Sequence, residues 1–181
     1  MRIVGGLYKG RIFTPGKSFK ARPTTDFAKE NLFNILENHI NWEETDALDL
    51  FAGTGSISYE LASRGCRQVT AVEQNFRHYQ FIRQVIADLG ATNIRPLRDD
   101  VFRFLGRQFP PFDLVFADPP FDLPAFDTVL EKVLASGIIK RGGLFILEHS
   151  QDHHYDHLPQ FRELRTYGSV YFSFFSPDSG C

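Results

Sequence analysis

Asp49-Leu-Phe-Ala-Gly-Thr-Gly55 is the stretch on which the fold turns. The apolar run Ala47–Leu50 reads as a buried strand, Gly53 and Gly55 remove side chains at a strand-to-helix turn, and Ser56–Ser63 continues as a helix. Glycine permits positive φ and lets a ligand approach the backbone, while the helix that follows presents a positive dipole end. The pattern departs from a dinucleotide fingerprint. Ser58 stands where the third glycine of G-x-G-x-x-G belongs, and the Asp49 carboxylate would repel a pyrophosphate. An acid at that point suits a ligand carrying an ammonium group. The next apolar strand, Val69–Val72, ends on Glu73, about 20 positions on, where a carboxylate accepts hydrogen bonds from ribose hydroxyls. The two acids together point to a nucleoside without phosphates.

A second segment, Asp118-Pro-Pro-Phe121, follows the apolar strand Phe112–Ala117. Ligands of an open α/β sheet sit outside the carboxyl ends of the strands, so both segments face one site. The amine of a nucleobase is a poor nucleophile because its lone pair is delocalised into the ring. Asp118 and the Pro119 carbonyl can each accept a hydrogen bond from such an amine and hold its nitrogen in line with an electrophilic carbon. Pro119 and Pro120 fix φ and donate no backbone hydrogen bond, which pre-aims the carbonyls. Phe121 offers a face for base stacking, worth roughly 1–3 kcal/mol. Each feature also has a plain structural reading. Glycines after a strand are mostly turns, Glu73 alone is a solvated strand end, and with 19 phenylalanines in the chain most are core. Placement after consecutive strands of one sheet favours the functional reading.

Around these segments the periodicity alternates. Helices are expected at Asp26–Glu37, Asn75–Leu89, Val101–Leu105 and Ala125–Ser136, and strands at Asn93–Leu97, Gly143–Glu148, Glu163–Tyr167 and Val170–Phe175. That order predicts a doubly wound, mostly parallel α/β sheet with an antiparallel edge strand. The 181 residues fit a basic N-terminal hairpin and helix, residues 1–40, followed by a ligand-binding domain, residues 41–181. Thr24 or Thr25 caps the first helix. Net charge is −2, but Met1–Thr25 holds Arg2, Lys9, Arg11, Lys17, Lys20 and Arg22 with no acid. This asymmetry suggests that the N-terminal segment meets phosphates. Ile3, Val4, Leu7, Tyr8, Ile12 and Phe13, interleaved with Gly5-Gly6 and Gly10, favour a packed hairpin over a loose arm.

Two cysteines exclude a disulfide framework, and no apolar run approaches the roughly 20 residues that span a bilayer. With no signal-peptide pattern at Met1, a cytoplasmic protein without membrane contact is expected. His149, His153, His154 and His157 lie in a polar stretch, read as a solvated loop rather than a metal site. No metal is expected.

Asp49–Gly55 resembles the S-adenosyl-L-methionine loop of class I methyltransferases, and Asp118–Phe121 resembles the [DNS]-P-P-[YF] motif of exocyclic-amino methyltransferases. In order along the chain, Arg2-Ile-Val-Gly-Gly6, Gly10-Arg11, Arg22-Pro-Thr-Thr-Asp26, Glu30-Asn-Leu-Phe33 and Val115–Phe121 are similar to the bacterial RsmD family. The likeness runs from Met1 to about Phe175. It implies a Rossmann-like class I fold, seven strands with one antiparallel, and S-adenosyl-L-methionine as cofactor. It further implies methylation of a guanine N2 in 16S rRNA, presented within a small ribosomal subunit or its assembly intermediate. By the same resemblance Asp49, Phe51, Ala52, Gly53, Thr54, Gly55 and Glu73 bind the cofactor, and Asp100 meets its adenine amino group. Asp99 reads as a cap for Val101–Leu105, and the residues alone leave open which of the two acids takes which role. Asp118, Pro119, Pro120 and Phe121 carry the chemistry, and Arg2, Lys9, Arg11, Arg22, Thr24 and Thr25 face the substrate. An adenine-N6 methyltransferase would use the same amine-holding motif. A non-catalytic RNA-binding assembly protein is the alternative from another class.

Overall fold

A computed structural model describes residues 1–16, 19, 24–124 and 126–177. In chain order the regular elements are α1 (Asp26–Leu36), β1 (Asp46–Leu50), α2 (Ser56–Ser63), β2 (Gln68–Val72), α3 (Phe76–Leu89), β3 (Ile94–Leu97), α4 (Val101–Leu105), β4 (Phe112–Ala117), α5 (Phe126–Ala135), β5 (Ile139–His149), β6 (Phe161–Tyr167) and β7 (Val170–Phe175). A 3-10 turn at Trp42–Glu44, which the periodicity does not announce, leads into β1. Among the described residues the seven strands form one sheet in the order β3-β2-β1-β4-β5-β7-β6.

The strands β1 to β5 are parallel, and β7 runs antiparallel to both β5 and β6. The reversed strand therefore lies one place inside the edge. Composition explains the placement: β7 is almost wholly buried, whereas β6 alternates and mostly faces solvent, as an edge strand should. A two-residue turn with Gly168 at φ 64 joins them, so β6 must lie beside β7.

Side chains alternate across a strand. Ala47, Val69, Leu114 and Ile146 pack on one face with Leu32, Phe33, Tyr59 and Ile82. Leu48, Leu50, Val115 and Leu147 pack on the other with Phe104, Val129 and Phe145. Ile3 of the N-terminal hairpin and Ala28, Leu32, Phe33 and Leu36 of α1 belong to the first of these cores.

The N-terminal hairpin is held by Ile3 N–H donating to Arg11 O (3.0 Å) and Phe13 N–H to Met1 O (3.0 Å). It contains one antiparallel bridge, Arg2 with Ile12, instead of two regular strands. Leu7 and Ile12, expected to pack, face solvent. The reason is that the hairpin is stitched to α2 by main chain: Val4 N–H donates to Glu60 Oε2 (2.9 Å) and Leu7 N–H to Ser63 O (2.7 Å). Gly6, at φ 72, faces Ser63 O so closely that a Cβ would overlap it. No helix among the described residues is long and apolar enough to cross a membrane.

Candidate cofactor and amine site

A cavity of about 560 Å³ opens at the carboxyl ends of the central strands. Four acids reach it from four neighbouring strands: Glu73 just after β2, Asp49 in β1, Asp118 just after β4, and Glu148 near the end of β5. Neighbouring strands lie about 4.8 Å apart; the register sets Glu73, Asp118 and Glu148 at one level and Asp49, paired with Ala71 and Phe116, two residues deeper between Glu73 and Asp118. Alternation puts all four on the face that the N-terminal segment and α1 cover. Ala47, Ala71, Phe116 and Ile146, each two residues before its acid, belong to the core on that face. No Lys or Arg appears among the described residues that line the cavity. Such a lining rejects phosphates and suits a cationic ligand, which is what the ammonium and sulfonium groups of S-adenosylmethionine present. The residues fit that cofactor.

The loop between β1 and α2 owes its shape to three positive φ angles, at Phe51 (59), Gly53 (56) and Gly55 (81). Phe51 is the one non-glycine with positive φ among the described residues, a strain that residue type alone does not signal. Gly53 lines the cavity with Phe51, Ala52 and Thr54, while Gly55 sits behind it as the N-cap of α2. A Cβ on Gly55 would overlap the Tyr59 ring, whose hydroxyl donates to Thr54 O (2.8 Å).

Glu73 is engaged by the main chain on both carboxylate oxygens. Its Oε2 accepts Gly53 N–H (2.8 Å) and its Oε1 accepts Asn75 N–H (2.7 Å), which ties the glycine loop to the start of α3. Asp49 accepts from Ser58 Oγ (2.5 Å). Ser58 thus supplies a partner for the acid where a dinucleotide fingerprint has its third glycine. Burial pushes the Asp49 carboxyl up to about 7, against the Ser58 hydrogen bonds and with Glu73 adding repulsion. Asp118 is held well above the carboxylate range by burial first, then by Glu148 and Asp49. Pro119 is buried and Pro120 exposed, the Pro120 carbonyl accepting Leu123 N–H (2.9 Å). Phe121 lines the cavity with half its surface exposed and meets Phe126 edge-on at 6.4 Å.

Thr24 and Thr25 both line the cavity and divide their work. Thr25 caps α1 by accepting Ala28 N–H (3.2 Å), and Thr24 donates to Glu148 Oε2 (2.6 Å). Glu148 is not among the residues expected at the site, although an apolar strand ending on an acid is the signal that marks Glu73.

The cap of α4 is Asp100 and not Asp99. Asp100 caps α4 by accepting Arg103 N–H (2.9 Å), because the cap must immediately precede Val101. Asp99 accepts Asp100 N–H (3.0 Å) and pairs with Arg107 (2.6 Å). Val101 lines the cavity and neither acid does.

Of the basic candidates, Arg2 pairs with Asp26 (3.4 Å), and Arg11 donates to Asp88 O (3.1 Å) and lies over Phe13 at 5.7 Å. Lys9 is exposed. All three stand outside the cavity. Lys17, Lys20 and Arg22 lie outside the described residues. Buried Lys29 joins the hairpin to α2, donating to Arg2 O and to Ser56 Oγ (3.0 Å) with Glu60 3.8 Å away.

The histidines are not a uniformly solvated loop. His149 is buried at the end of β5 between Ser150 O (2.7 Å) and Ser173 Oγ (2.8 Å), because β5 runs further than its apolar stretch suggests. His153 meets Asp127 (3.0 Å) and stacks on Phe126 at 4.3 Å, whereas His154 and His157 are exposed. Among the described residues no group of three His, Cys, Asp or Glu side chains is placed to hold a metal ion.

Comparison with known proteins supports the same assignment of fold. The family described as conserved hypothetical protein 95 matches residues 1–176. Ribosomal RNA small subunit methyltransferase D of Escherichia coli is 36% identical over 121 residues, 67% of this chain and 60% of that protein. The Haemophilus influenzae protein of the same name is 30% identical over 156 residues, 84% of this chain and 80% of that one. A hypothetical protein of Thermus thermophilus superposes with a TM-score of 0.87 at 27% identity, over 97% of this chain and 99% of that one.

Proposed function

The chain belongs to the family of conserved hypothetical protein 95, the RsmD family of methyltransferases, and from that premise we propose that it methylates the exocyclic N2 amine of a guanine in 16S rRNA. The observation that carries the reading is the set of carboxylates at the strand ends, with no basic residue among the described residues that line the cavity, next to Asp118-Pro-Pro-Phe121. The relatives named as small-subunit rRNA methyltransferases supply the substrate class. The natural setting is the cytoplasm, with a small ribosomal subunit or its assembly intermediate as partner.

In this reading S-adenosylmethionine, when bound, supplies an electrophilic methyl on a sulfonium. Glu73 and the glycine loop hold its ribose, and Asp49 its ammonium end. The Asp118 carboxylate and the Pro119 carbonyl accept the two N–H groups of the amine and direct its lone pair toward the cofactor half of the cavity, an orientation effect. Phe121 stacks on the base, which must leave any RNA stack to enter. The amine becomes acidic only as the new bond forms, and Asp118, with its raised proton affinity, is placed to take the proton.

Labelled methyl transfer to unmodified small ribosomal subunits and to naked 16S rRNA, followed by digestion to nucleosides, tests the proposal. N2-methylguanosine is the expected product. N6-methyladenosine would replace the guanine reading, and RNA binding without transfer would favour an assembly protein.

A further inference from the structure

Three of these four acids have parts in the reading above, and the fourth, Glu148, has none. Its place is specific. In the sheet order β2-β1-β4-β5, Glu73 and Asp49 occupy the cofactor half, and Glu148 lies one strand beyond Asp118 on the other side. Ala117 pairs with Leu147, so Asp118 and Glu148 stand at the next level of the same register. They share a face, since Phe116 and Ile146 both belong to the core on that face. After burial, Glu148 is the strongest influence raising the Asp118 carboxyl, as two neighbouring carboxylates require.

We propose that Glu148 reads the target base, its carboxylate accepting the N1–H of guanine beside the N2 amine held by Asp118. The inference rests on the proposal that the target is a guanine. Guanine presents N1–H and the N2 amine as neighbouring donors on one edge, and two neighbouring carboxylates match them. Adenine carries an acceptor at N1, so a carboxylate there would face a lone pair and reject it. Buried polar groups that a wrong base leaves unpaired give a site its strongest discrimination. Thr24 sets the orientation of the carboxylate through its 2.6 Å bond to Oε2. A carboxylate has about four acceptor positions, so this bond is compatible with accepting from a base as well. Thr24 precedes the α1 cap and lines the cavity, which places the N-terminal segment directly behind the group that reads the base.

The test compares the full chain as wild type and as Glu148→Gln, a change that keeps an acceptor for the Thr24 hydroxyl. Three quantities are measured: calorimetric affinity for S-adenosylmethionine, the single-turnover rate on unmodified small ribosomal subunits, and the rate on subunits rebuilt with 2-aminopurine at the methylated position. 2-Aminopurine keeps the reacting amine but has an acceptor at N1. Wild type should favour guanine by about 100-fold or more. Glu148→Gln should leave cofactor affinity unchanged, slow the guanine reaction about 100-fold, and shrink the preference for guanine to within about tenfold. A variant that discriminates as wild type does, or whose loss of rate tracks a loss of cofactor affinity, overturns the assignment. Wild type that forms methyladenosine overturns the guanine proposal itself. Wild type that forms N2-methylguanosine beside a fully discriminating variant overturns only the role of Glu148.

Discussion

Asp118 can accept an N–H of the amine beside the Pro119 carbonyl and then take its proton only when it is ionised, yet burial, Glu148 and Asp49 all favour its protonated form. Lowering the pH therefore removes the acceptor earlier than for an ordinary aspartate, whose value is about 3.9. The single-turnover rate should fall on the acid side with a midpoint above that value. Asp118→Asn should abolish that limb, reduce the rate about 10²–10³-fold and spare cofactor affinity. A midpoint in the ordinary carboxylate range would detach Asp118 from the chemistry. Asp49 makes a matching statement about stability. Its folded value of about 7 exceeds its ordinary value of 3.8, so between those limits the folded protein holds a proton that the unfolded chain has lost. Ionisation of this carboxyl adds no penalty below the lower limit, makes the fold progressively less stable as the pH rises across the interval, and adds nothing further above the upper one. Asp49→Asn should therefore raise the melting temperature of the ligand-free protein more at pH 8 than at pH 5 while weakening cofactor binding. An equal effect at both pH values would show that burial does not govern this carboxyl. In the proposed reading this destabilisation is what the ammonium end of the cofactor would relieve.

At the level of elements, the glycine loop and its helix were legible because their signals are local. Ser56–Ser63, Val101–Leu105, Phe112–Ala117 and Val170–Phe175 have in the structure the bounds their periodicity gives. What local patterns do not contain is pairing between distant strands. Burial of β7 was readable from its apolar run, but its position inside β6 depends on which strand meets β5. For the same reason the place of Glu148 is not legible locally: only the β4–β5 register brings it beside Asp118. The helix Val101–Leu105 has its expected bounds, so the cap falls to the residue immediately before it, Asp100, and not to Asp99. Gly55 and Gly90 separate backbone freedom from site geometry. Both have positive φ, 81 and 64, but a Cβ on Gly55 would overlap Tyr59 behind the cofactor loop, whereas nothing lies within 4 Å of one on Gly90. Gly90→Ala should cost roughly 1–3 kcal/mol of backbone strain and leave cofactor affinity intact. Gly55→Ala should cost more and also weaken S-adenosylmethionine binding, measured by calorimetry beside thermal melts. Equal affinities in the two variants would deny the Tyr59 packing a part in shaping the loop.

Across the whole molecule, charge divides between a basic N-terminal segment and an acidic remainder, with six bases in Met1–Thr25 and 14 bases against 22 acids elsewhere. Removing the segment is a poor test of RNA contact. Ile3 belongs to the core, Val4 N–H satisfies buried Glu60, and Arg2 O receives buried Lys29, so truncation would open the packing against α2. Arg2 and Arg11 are similarly compromised by their contacts with Asp26 and with Asp88 and Phe13. Lys9 is the clean probe, because it is exposed and makes no ion pair among the described residues. We propose that it contacts a phosphate of the rRNA away from the target base, because the turn that carries it packs on Ser63 at the end of α2 opposite the cavity. Lys9→Glu should leave melting temperature and cofactor affinity unchanged. It should weaken binding to unmodified small ribosomal subunits and lower the slope of log affinity against log salt by roughly 0.7–0.9, the loss expected for one phosphate contact. Binding and single-turnover methylation across a salt series measure both. An unchanged slope would leave the hairpin as packing for α2 and shift RNA recognition to other parts of the surface.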